Sequence, residues 1–147
     1  RLRGGELPEV RWLAGNVGYL RISRFLDAAP SAEKLALALG LLADTGAIIV
    51  DVRGCPGGEP AGVANVIGHF VSTRTPTVRV QGDGASSSER TYYAEPRTPN
   101  HADKPLFVLV DAKTGSGAEE FAYDLQALER ATLVGETTAG AATPGGF

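Results

Sequence analysis

A serine lies between a strand-like segment and a helix-like segment in the last third of the chain. Residues 106–110 (LFVLV) are continuously apolar, which is typical of a strand buried on both faces. After Ser116 the apolar residues take a helical spacing, at Ala118, Phe121, Ala122, Leu125 and Leu128. A hydroxyl at a helix start adjoins unpaired backbone N–H groups and the positive end of the helix dipole. Because both favour developing negative charge, this position suits a nucleophile.

Ser116 has a second interpretation, because serine is also a preferred helix N-cap. A serine nucleophile needs a partner base as well as a position. From this segment alone, the N-cap interpretation is therefore favoured.

A glycine-rich loop follows a second strand-like run. Residues 47–52 (AIIVDV) are apolar except for one aspartate, and the sequence RGCPGGEP at 53–60 leads into a helix-like stretch at 61–71. The adjacent Gly57 and Gly58 allow the backbone to present N–H groups to a ligand, as an oxyanion hole requires. The alternative is that the two glycines only form a tight strand-to-helix turn.

Several further short motifs have the order and spacing of one known family. They are GNVGYLRI at 15–22, IVDVR at 49–53, AEEFAY at 118–123, RATLVGETT at 130–138 and GAATPGG at 140–146. Together with Ser116 and the glycine pair, they resemble the C-terminal processing, or tail-specific, serine protease family. The resemblance is greater to its branch that includes the interphotoreceptor retinoid-binding protein repeats.

This resemblance implies a fold and a chemistry. The implied fold is α/β, with a crotonase/ClpP-like core of repeated ββα units. The implied activity is that of a serine peptidase that cleaves polypeptides with Ser116 as nucleophile and without a metal or cofactor. Backbone N–H groups of Gly57 or Gly58 and of Gly117 would form the oxyanion hole. The family also suggests an extracytoplasmic location.

The general base of the family is missing from this sequence. In the tail-specific proteases a lysine follows the Gly-Glu-x-Thr motif, and Ala141 occupies that register here. In tricorn-type relatives a histidine follows a Gly-Tyr-x motif, and Arg21 occupies that register. Since a serine hydroxyl is a poor nucleophile until a base takes its proton, these departures affect activity rather than fold.

Three nitrogen bases are candidates for a substitute. Lys113 is close to Ser116 in sequence but is expected to be a solvated loop residue, and a catalytic lysine must be desolvated. His69 is expected to be a packed or half-exposed helix residue, and His101 to be a surface-loop residue.

Three carboxylates and one thiol complete the candidates. Glu119 and Glu120 fall in the first turn of the helix after Ser116, where they are expected to complement the helix dipole. Glu136 follows a strand and is expected to be a turn or ion-pair residue. Cys55 is the single cysteine, is expected to be a plain loop residue, and excludes an intrachain disulfide.

Two other functions are compatible with the sequence. A tail-protease fold that has lost its base could bind a lipid, a retinoid-like molecule or a peptide in its groove. A crotonase-type acyl-transforming enzyme uses similar pairs of backbone N–H groups, although the Ser116 motif disfavours it.

Composition indicates one domain over residues 1–147. The chain is 43% hydrophobic, and its net charge of -3 gives no electrostatic reason to expect nucleic acid or an anionic membrane. No apolar run approaches the roughly 20 residues of a membrane span. The sequence has no methionine and is expected to be part of a longer protein. It does not indicate an oligomeric state.

The remaining predicted strands and helix complete an alternating order along the chain. Strands are predicted at 16–22, 77–81 and 132–135, and a helix is predicted to begin near Ser31 and to end through a left-handed Gly46. Residues 82–104 are polar and predict a long loop, in which Tyr92 and Tyr93 could pair as a short strand or form a wall for a bound chain.

Overall fold

The structure, a computed structural model, describes residues 8–81 and 89–141. Strands and helices alternate along this part of the chain. Their order is β1 (Glu9–Leu13), β2 (Val17–Arg21), α1 (Ala29–Gly40), β3 (Ala47–Asp51), α2 (Pro60–Ile67), β4 (Thr75–Gln81), β5 (Glu89–Ala94), β6 (Leu106–Val110), α3 (Gly117–Ala127) and β7 (Thr132–Gly135). No helix among the described residues is long and apolar enough to cross a membrane.

Five strands form one sheet, in the order β1-β2-β3-β6-β7. β1 pairs antiparallel with β2, and the other neighbours are parallel, with Val50 of β3 opposite Val108 of β6. Parallel neighbours end at the same edge of a sheet, so the loops that follow Asp51 and Val110 begin side by side. The predicted α/β class with a parallel sheet is confirmed.

The segment between α2 and β6 contains a separate ladder. β4 and β5 pair antiparallel, with Pro76 opposite Tyr93, so the predicted strand at Tyr92 and Tyr93 is present. The predicted loop at 82–104 is therefore wrong over Glu89–Ala94, and its residues 82–88 lie outside the described part. β5 pairs with β4, the strand directly before it, and this cross-strand pairing overrides the polar composition on which the loop prediction rested.

The helices pack apolar faces on the parallel sheet. Leu39 of α1, Val63 of α2 and Phe121 of α3 are fully buried, and the rings of Phe25 and Phe121 are 5.2 Å apart between centroids. Each such side chain contributes about 1.5–3 kcal/mol through burial. This core fixes the starts of α2 and α3 relative to the ends of β3 and β6.

The end of α1 differs from the prediction. The helix spans Ala29–Gly40 and is followed by a right-handed Leu41, so Gly46 is not a left-handed cap. Gly46 instead donates its N–H to the carbonyl oxygen of Asn16 at 2.8 Å, at the start of β2. The α2 helix also ends earlier than predicted, at Ile67.

His101 is buried, which corrects its prediction as a surface-loop residue. It is 2% exposed, and its Nε2 lies 3.0 Å from the carbonyl oxygen of Leu39. His69 is packed as predicted, with Nδ1 at 2.7 Å from the carbonyl oxygen of Pro99, and its carbonyl accepts the N–H of His101. Burial lowers the pKa of both imidazoles below the ordinary value. As neutral hydrogen-bond donors, His69 joins the segment after α2 to the loop at Pro99, and His101 joins that loop to α1.

His101→Gln tests this neutral state. The unfolded chain binds a proton near pH 6.5, whereas the folded chain binds it at lower pH because burial lowers the pKa of His101. The stability that neutral His101 contributes is thus fully present above pH 6.5 and is lost as pH falls below it. The variant should have a lower free energy of unfolding than the wild type at pH 7.5. The difference between the two free energies should be smaller at pH 5.5. Urea unfolding measures both values, and a gap independent of pH would contradict the buried neutral imidazole.

Candidate active site

Ser116 occupies a strained turn between β6 and α3. It is half-buried at the N-cap position of α3, with φ 49° and ψ -123°. A positive φ in a sparsely populated region costs a non-glycine residue about 1–3 kcal/mol, and such residues are concentrated at functional sites. A strained serine between a strand and a helix is also the geometry that exposes the nucleophile in α/β-hydrolases.

Three hydrogen bonds join the loop that contains Ser116 to the loop after β3. The N–H of Gly115 donates to the carbonyl oxygen of Cys55 at 3.0 Å. The hydroxyl of the buried Thr114 donates to the carbonyl oxygen of Val52 at 3.0 Å. The carboxylate of Asp111 accepts the N–H of Gly54 at 2.9 Å. The two loops therefore lie side by side.

The Gly57–Gly58 pair approaches the start of α3 without space for a side chain. A Cβ on Gly57 would lie 2.6 Å from the backbone nitrogen of Gly117 and 2.9 Å from the Cβ of Ser116. A Cβ on Gly58 would lie 1.9 Å from the carbonyl oxygen of Phe25. Both glycines have positive φ, at 109° and 152°, so glycine is required here by contact and by conformation.

The N–H of Gly58 faces away from the strand-like pairing with Phe25. The N–H of Phe25 donates to the oxygen of Gly57, and the oxygen of Phe25 accepts the N–H of Glu59. On the other side, the nitrogen of Gly58 is 3.2 Å from the Cβ position of Gly117. Among residues 8–81 and 89–141, neither Gly58 nor Gly117 donates its N–H to a protein acceptor. Two free donors therefore lie together beside Ser116.

Glu119 has a larger role in the site than dipole complementation. It is 8% exposed, and its carboxylate accepts the N–H groups of Ser116 at 2.9 Å, Gly140 at 2.6 Å and Ala141 at 2.8 Å. Burial alone would raise the pKa of Glu119, but a hydrogen bond from Thr138 and these backbone donors lower it. Glu119 is therefore an anion at neutral pH, and it joins the segment after β7 to Ser116.

Glu120, the next residue, has no comparable partners. Its Oε1 and the Oδ2 of Asp124, one helical turn later, are buried without a hydrogen bond in the described structure. Burial and then the charge of Asp124 raise the pKa of Glu120 to about 8, and burial raises that of Asp124 to about 6. Glu120 lies in the first turn of α3 as predicted, but its raised pKa weakens its complementation of the helix dipole relative to that of Glu119.

Sequence reasoning missed the role of two aspartates that support the loops. Asp51 is fully buried, and Arg53 and the hydroxyl of Tyr19 each contact its Oδ2 at 2.7 Å. Burial opposes ionisation, yet these hydrogen bonds lower the pKa of Asp51 to about 2. Asp111 accepts the N–H groups of Gly54 and Lys113. The signal was available, since an aspartate directly after a strand often accepts nearby backbone N–H groups.

The candidate bases do not form a hydrogen bond with the hydroxyl of Ser116 in the described part of the chain. Within the described ranges, no lysine or histidine nitrogen is hydrogen-bonded to its hydroxyl, because His69 and His101 bind carbonyl oxygens elsewhere and Lys113 is exposed. Arg21 is exposed at the end of β2, and Glu136 is exposed after β7. Ala141, by contrast, shares the carboxylate of Glu119 with Ser116.

Cys55 is buried rather than presented to solvent. It is 0% exposed, and burial raises the pKa of its thiol. Its Sγ lies 3.9 Å from the oxygen of Gly57. The prediction that it is not a nucleophile agrees with this environment. In the part of the chain that the structure describes, no group of three or more His, Cys, Asp or Glu side chains could hold a metal ion.

An α/β domain with a strained serine and two adjacent backbone donors at a sheet edge has the arrangement of a serine hydrolase site. Residues 16–144 match the family described as Peptidase family S41. The chain is 37% identical over 127 residues to a carboxyl-terminal-processing protease of Synechocystis sp., which covers 85% of this chain and 28% of the relative. It is 28% identical over 152 residues to the carboxy-terminal processing protease CtpB of Bacillus subtilis, which covers 97% and 30%.

Two solved structures are similar in fold. The photosystem II D1 C-terminal processing protease has a TM-score of 0.69 at 23% identity, over 88% of this chain and 33% of that chain. The tricorn protease has a TM-score of 0.55 at 17% identity, over 88% of this chain and 11% of that chain. The chain belongs to peptidase family S41. It spans less than a third of the length of these two carboxyl-terminal processing relatives.

Gly58→Ala tests the close approach at the site. The new Cβ would collide with the carbonyl oxygen of Phe25, so the free energy of unfolding should fall by about 3 kcal/mol. Gly54→Ala is the matched control, because Gly54 also has positive φ, at 72°, but has nothing within 4 Å of its Cβ position. It should cost about 1–2 kcal/mol for conformation alone. Urea unfolding compares the two, and equal losses would contradict the contact between Gly58 and Phe25.

Proposed function

We propose that this chain forms the catalytic core of a serine peptidase that cleaves polypeptides through Ser116. The observation that carries the proposal is the strained Ser116 against the Gly57–Gly58 turn. The N–H groups of Gly58 and Gly117 form the oxyanion hole in this proposal, and Gly57 gives them the room to do so. Membership of peptidase family S41 supports the same chemistry.

The proposed reaction proceeds through an acyl-enzyme. The hydroxyl oxygen of Ser116 attacks the carbonyl carbon of the scissile bond as a base takes the hydroxyl proton. The carbonyl oxygen becomes negative and accepts the N–H groups of Gly58 and Gly117. When the carbon–nitrogen bond breaks, the leaving amine takes the proton, and water then hydrolyses the ester on Ser116. We assign the base to a group outside residues 8–81 and 89–141.

The proposed substrate is a polypeptide cut near its carboxyl terminus. Two relatives are named as carboxyl-terminal processing proteases, and this chain covers less than a third of each. We further assign the core to the crotonase/ClpP-like class. The β1-β2-α1 unit and the strand–loop–helix units β3-α2 and β6-α3 support this assignment. The motif order at 15–22 and 130–138 supports the branch of the interphotoreceptor retinoid-binding protein repeats.

The second candidate function is a binding domain for a lipid, a retinoid-like ligand or a peptide. One observation favours it: neither register holds the family's general base, since Ala141 stands in place of the lysine and Arg21, which does not lose its proton, in place of the histidine. Within the described structure, no lysine or histidine nitrogen replaces it at the hydroxyl of Ser116. Such a domain would keep the groove and the oxyanion donors while lacking turnover.

Ser116→Ala separates the two functions in the full-length protein. For a peptidase, removal of the nucleophile should lower the rate of cleavage of an unfolded polypeptide at least about a thousandfold. Peptide binding should persist, because the hydroxyl contributes to the transition state rather than to the groove. Loss of the N-cap should cost only about 0.5–2 kcal/mol.

Ser72→Ala is the matched control, since Ser72 is exposed and precedes β4. The Ser72→Ala variant should cleave the polypeptide at the wild-type rate. Cleavage at equal rates by the wild type and Ser116→Ala would remove Ser116 as the nucleophile. Peptide or lipid binding without turnover in every form would establish the binding domain instead.

A further inference from the structure

Glu119 lies where the start of α3 meets the segment after β7. Its Oε2 accepts the N–H of Ser116 at 2.9 Å and that of Ala141 at 2.8 Å. Its Oε1 accepts the N–H of Gly140 at 2.6 Å, and the hydroxyl of Thr138 also donates to the carboxylate. One buried side chain therefore binds donors from two separate parts of the chain.

These four bonds require a carboxylate. An ionised carboxylate only accepts, and hydrogen bonds to a charged acceptor are roughly twice as strong as neutral ones. A glutamine at position 119 would have a carbonyl oxygen at one carboxylate position and an NH₂ group at the other. The NH₂ group is a donor and cannot accept from the backbone N–H groups that face it. Glutamine could not satisfy Ser116, Gly140 and Ala141 together.

The bond to Ser116 acts on a strained residue. A serine at φ 49° keeps that conformation only where its surroundings fix it. The N–H of Ser116 binds Glu119, and its carbonyl accepts the N–H groups of Glu119 and Glu120. The carboxylate therefore holds the amino side of Ser116, and the first turn of α3 holds its carbonyl side.

The neighbouring Glu120 shows that helix position alone does not explain these bonds. Both glutamates lie in the first turn of α3. Glu120 leaves Oε1 without a partner in the described residues, whereas Glu119 binds both oxygens to donors. The difference lies in the segment Thr138–Ala141, whose N–H groups at Gly140 and Ala141 donate to Glu119. A second bond, from the N–H of Ala139 to the oxygen of Thr114 at 2.9 Å, holds that segment in place.

We propose that Glu119 is a positioning residue, which fixes Ser116 in its strained positive-φ conformation and holds residues 138–141 against it. This inference rests on the proposed function only for its effect on catalysis. The segment after β7 is thereby part of the active site, although it supplies no reacting group among the described residues. Displacement of a nucleophile by about 1 Å can lower a rate about 100-fold.

Glu119→Gln in the full-length protein tests the proposal by two readouts. The first is amide hydrogen exchange at Gly140 and Ala141, which should become at least about tenfold faster at one or both residues, because they bind different oxygens and glutamine keeps only one acceptor. The second is the rate of Ser116 labelling by a serine-directed phosphonate, which should fall about 10- to 100-fold. In peptide cleavage the loss should appear in kcat, with KM nearly unchanged. Glu136→Gln is the control, since Glu136 is exposed on the same segment, and it should match the wild type in both readouts.

The two readouts distinguish the proposals. Unchanged exchange at Gly140 and Ala141 in Glu119→Gln would overturn the positioning role. Amide exchange could become faster while the folded variant is labelled at Ser116 at the wild-type rate. That result would limit Glu119 to a structural role and would also overturn the positioning role. The wild type itself could be neither labelled nor active while Glu119→Gln still shows faster amide exchange. The proposed peptidase function would then be wrong, and the contact of Glu119 with residues 138–141 would be supported. Should Glu119→Gln fail to fold, Thr138→Val removes one donor and keeps the side-chain shape. It should show smaller changes in the same direction, and no change would overturn the proposal.

Discussion

The close approach of the Gly57–Gly58 turn to Phe25 and Gly117 is the constraint on which the rest of the site depends. Added Cβ atoms would lie 1.9 Å from the oxygen of Phe25 and 2.6 Å from the nitrogen of Gly117. Backbone atoms of three segments therefore meet without side chains between them. This contact leaves the N–H groups of Gly58 and Gly117 adjacent, and it requires the parallel register of β3 and β6 that brings both loops to one edge. The core beneath, through Phe25 and Phe121, holds this geometry.

Buried carboxylates around the site differ in how well they are satisfied. Asp51 and Glu119 each accept several hydrogen bonds, which overcome the effect of burial and keep them ionised. Glu120 and Asp124 each have a buried oxygen without a described partner, and their pKa values are raised to about 8 and about 6. The anions thus lie where they fix loops, at the end of β3 and at the start of α3. At neutral pH the carboxyl of Glu120, whose pKa is raised the most, is largely neutral.

The sequence predicted the parts of the site that depend on local pattern. The strand at 106–110, the helix after Ser116 and the glycine loop at 53–60 follow from apolar spacing and turn residues, and the structure places them together. Boundaries were less accurate, as at Gly46, because that glycine binds Asn16, a residue far from it in sequence, instead of ending α1. The burial of His101 was not predictable from a polar segment, since its partner Leu39 is 62 residues away. The contact of Glu119 with residues 140 and 141 is likewise set by tertiary packing.

The remaining tension is between the strained site around Ser116, which we propose holds the nucleophile, and the absence of the family base from its two registers. Ala141 lies beside Ser116 through the carboxylate of Glu119, so the backbone of the first register is retained where its basic side chain is not. The most direct measurement is tandem mass spectrometry of the full-length protein after reaction with a serine-directed phosphonate between pH 6 and 9. The account predicts one adduct, on Ser116, which is abolished by prior denaturation. An unmodified Ser116 in folded protein across that range, or an adduct on another serine, would contradict it.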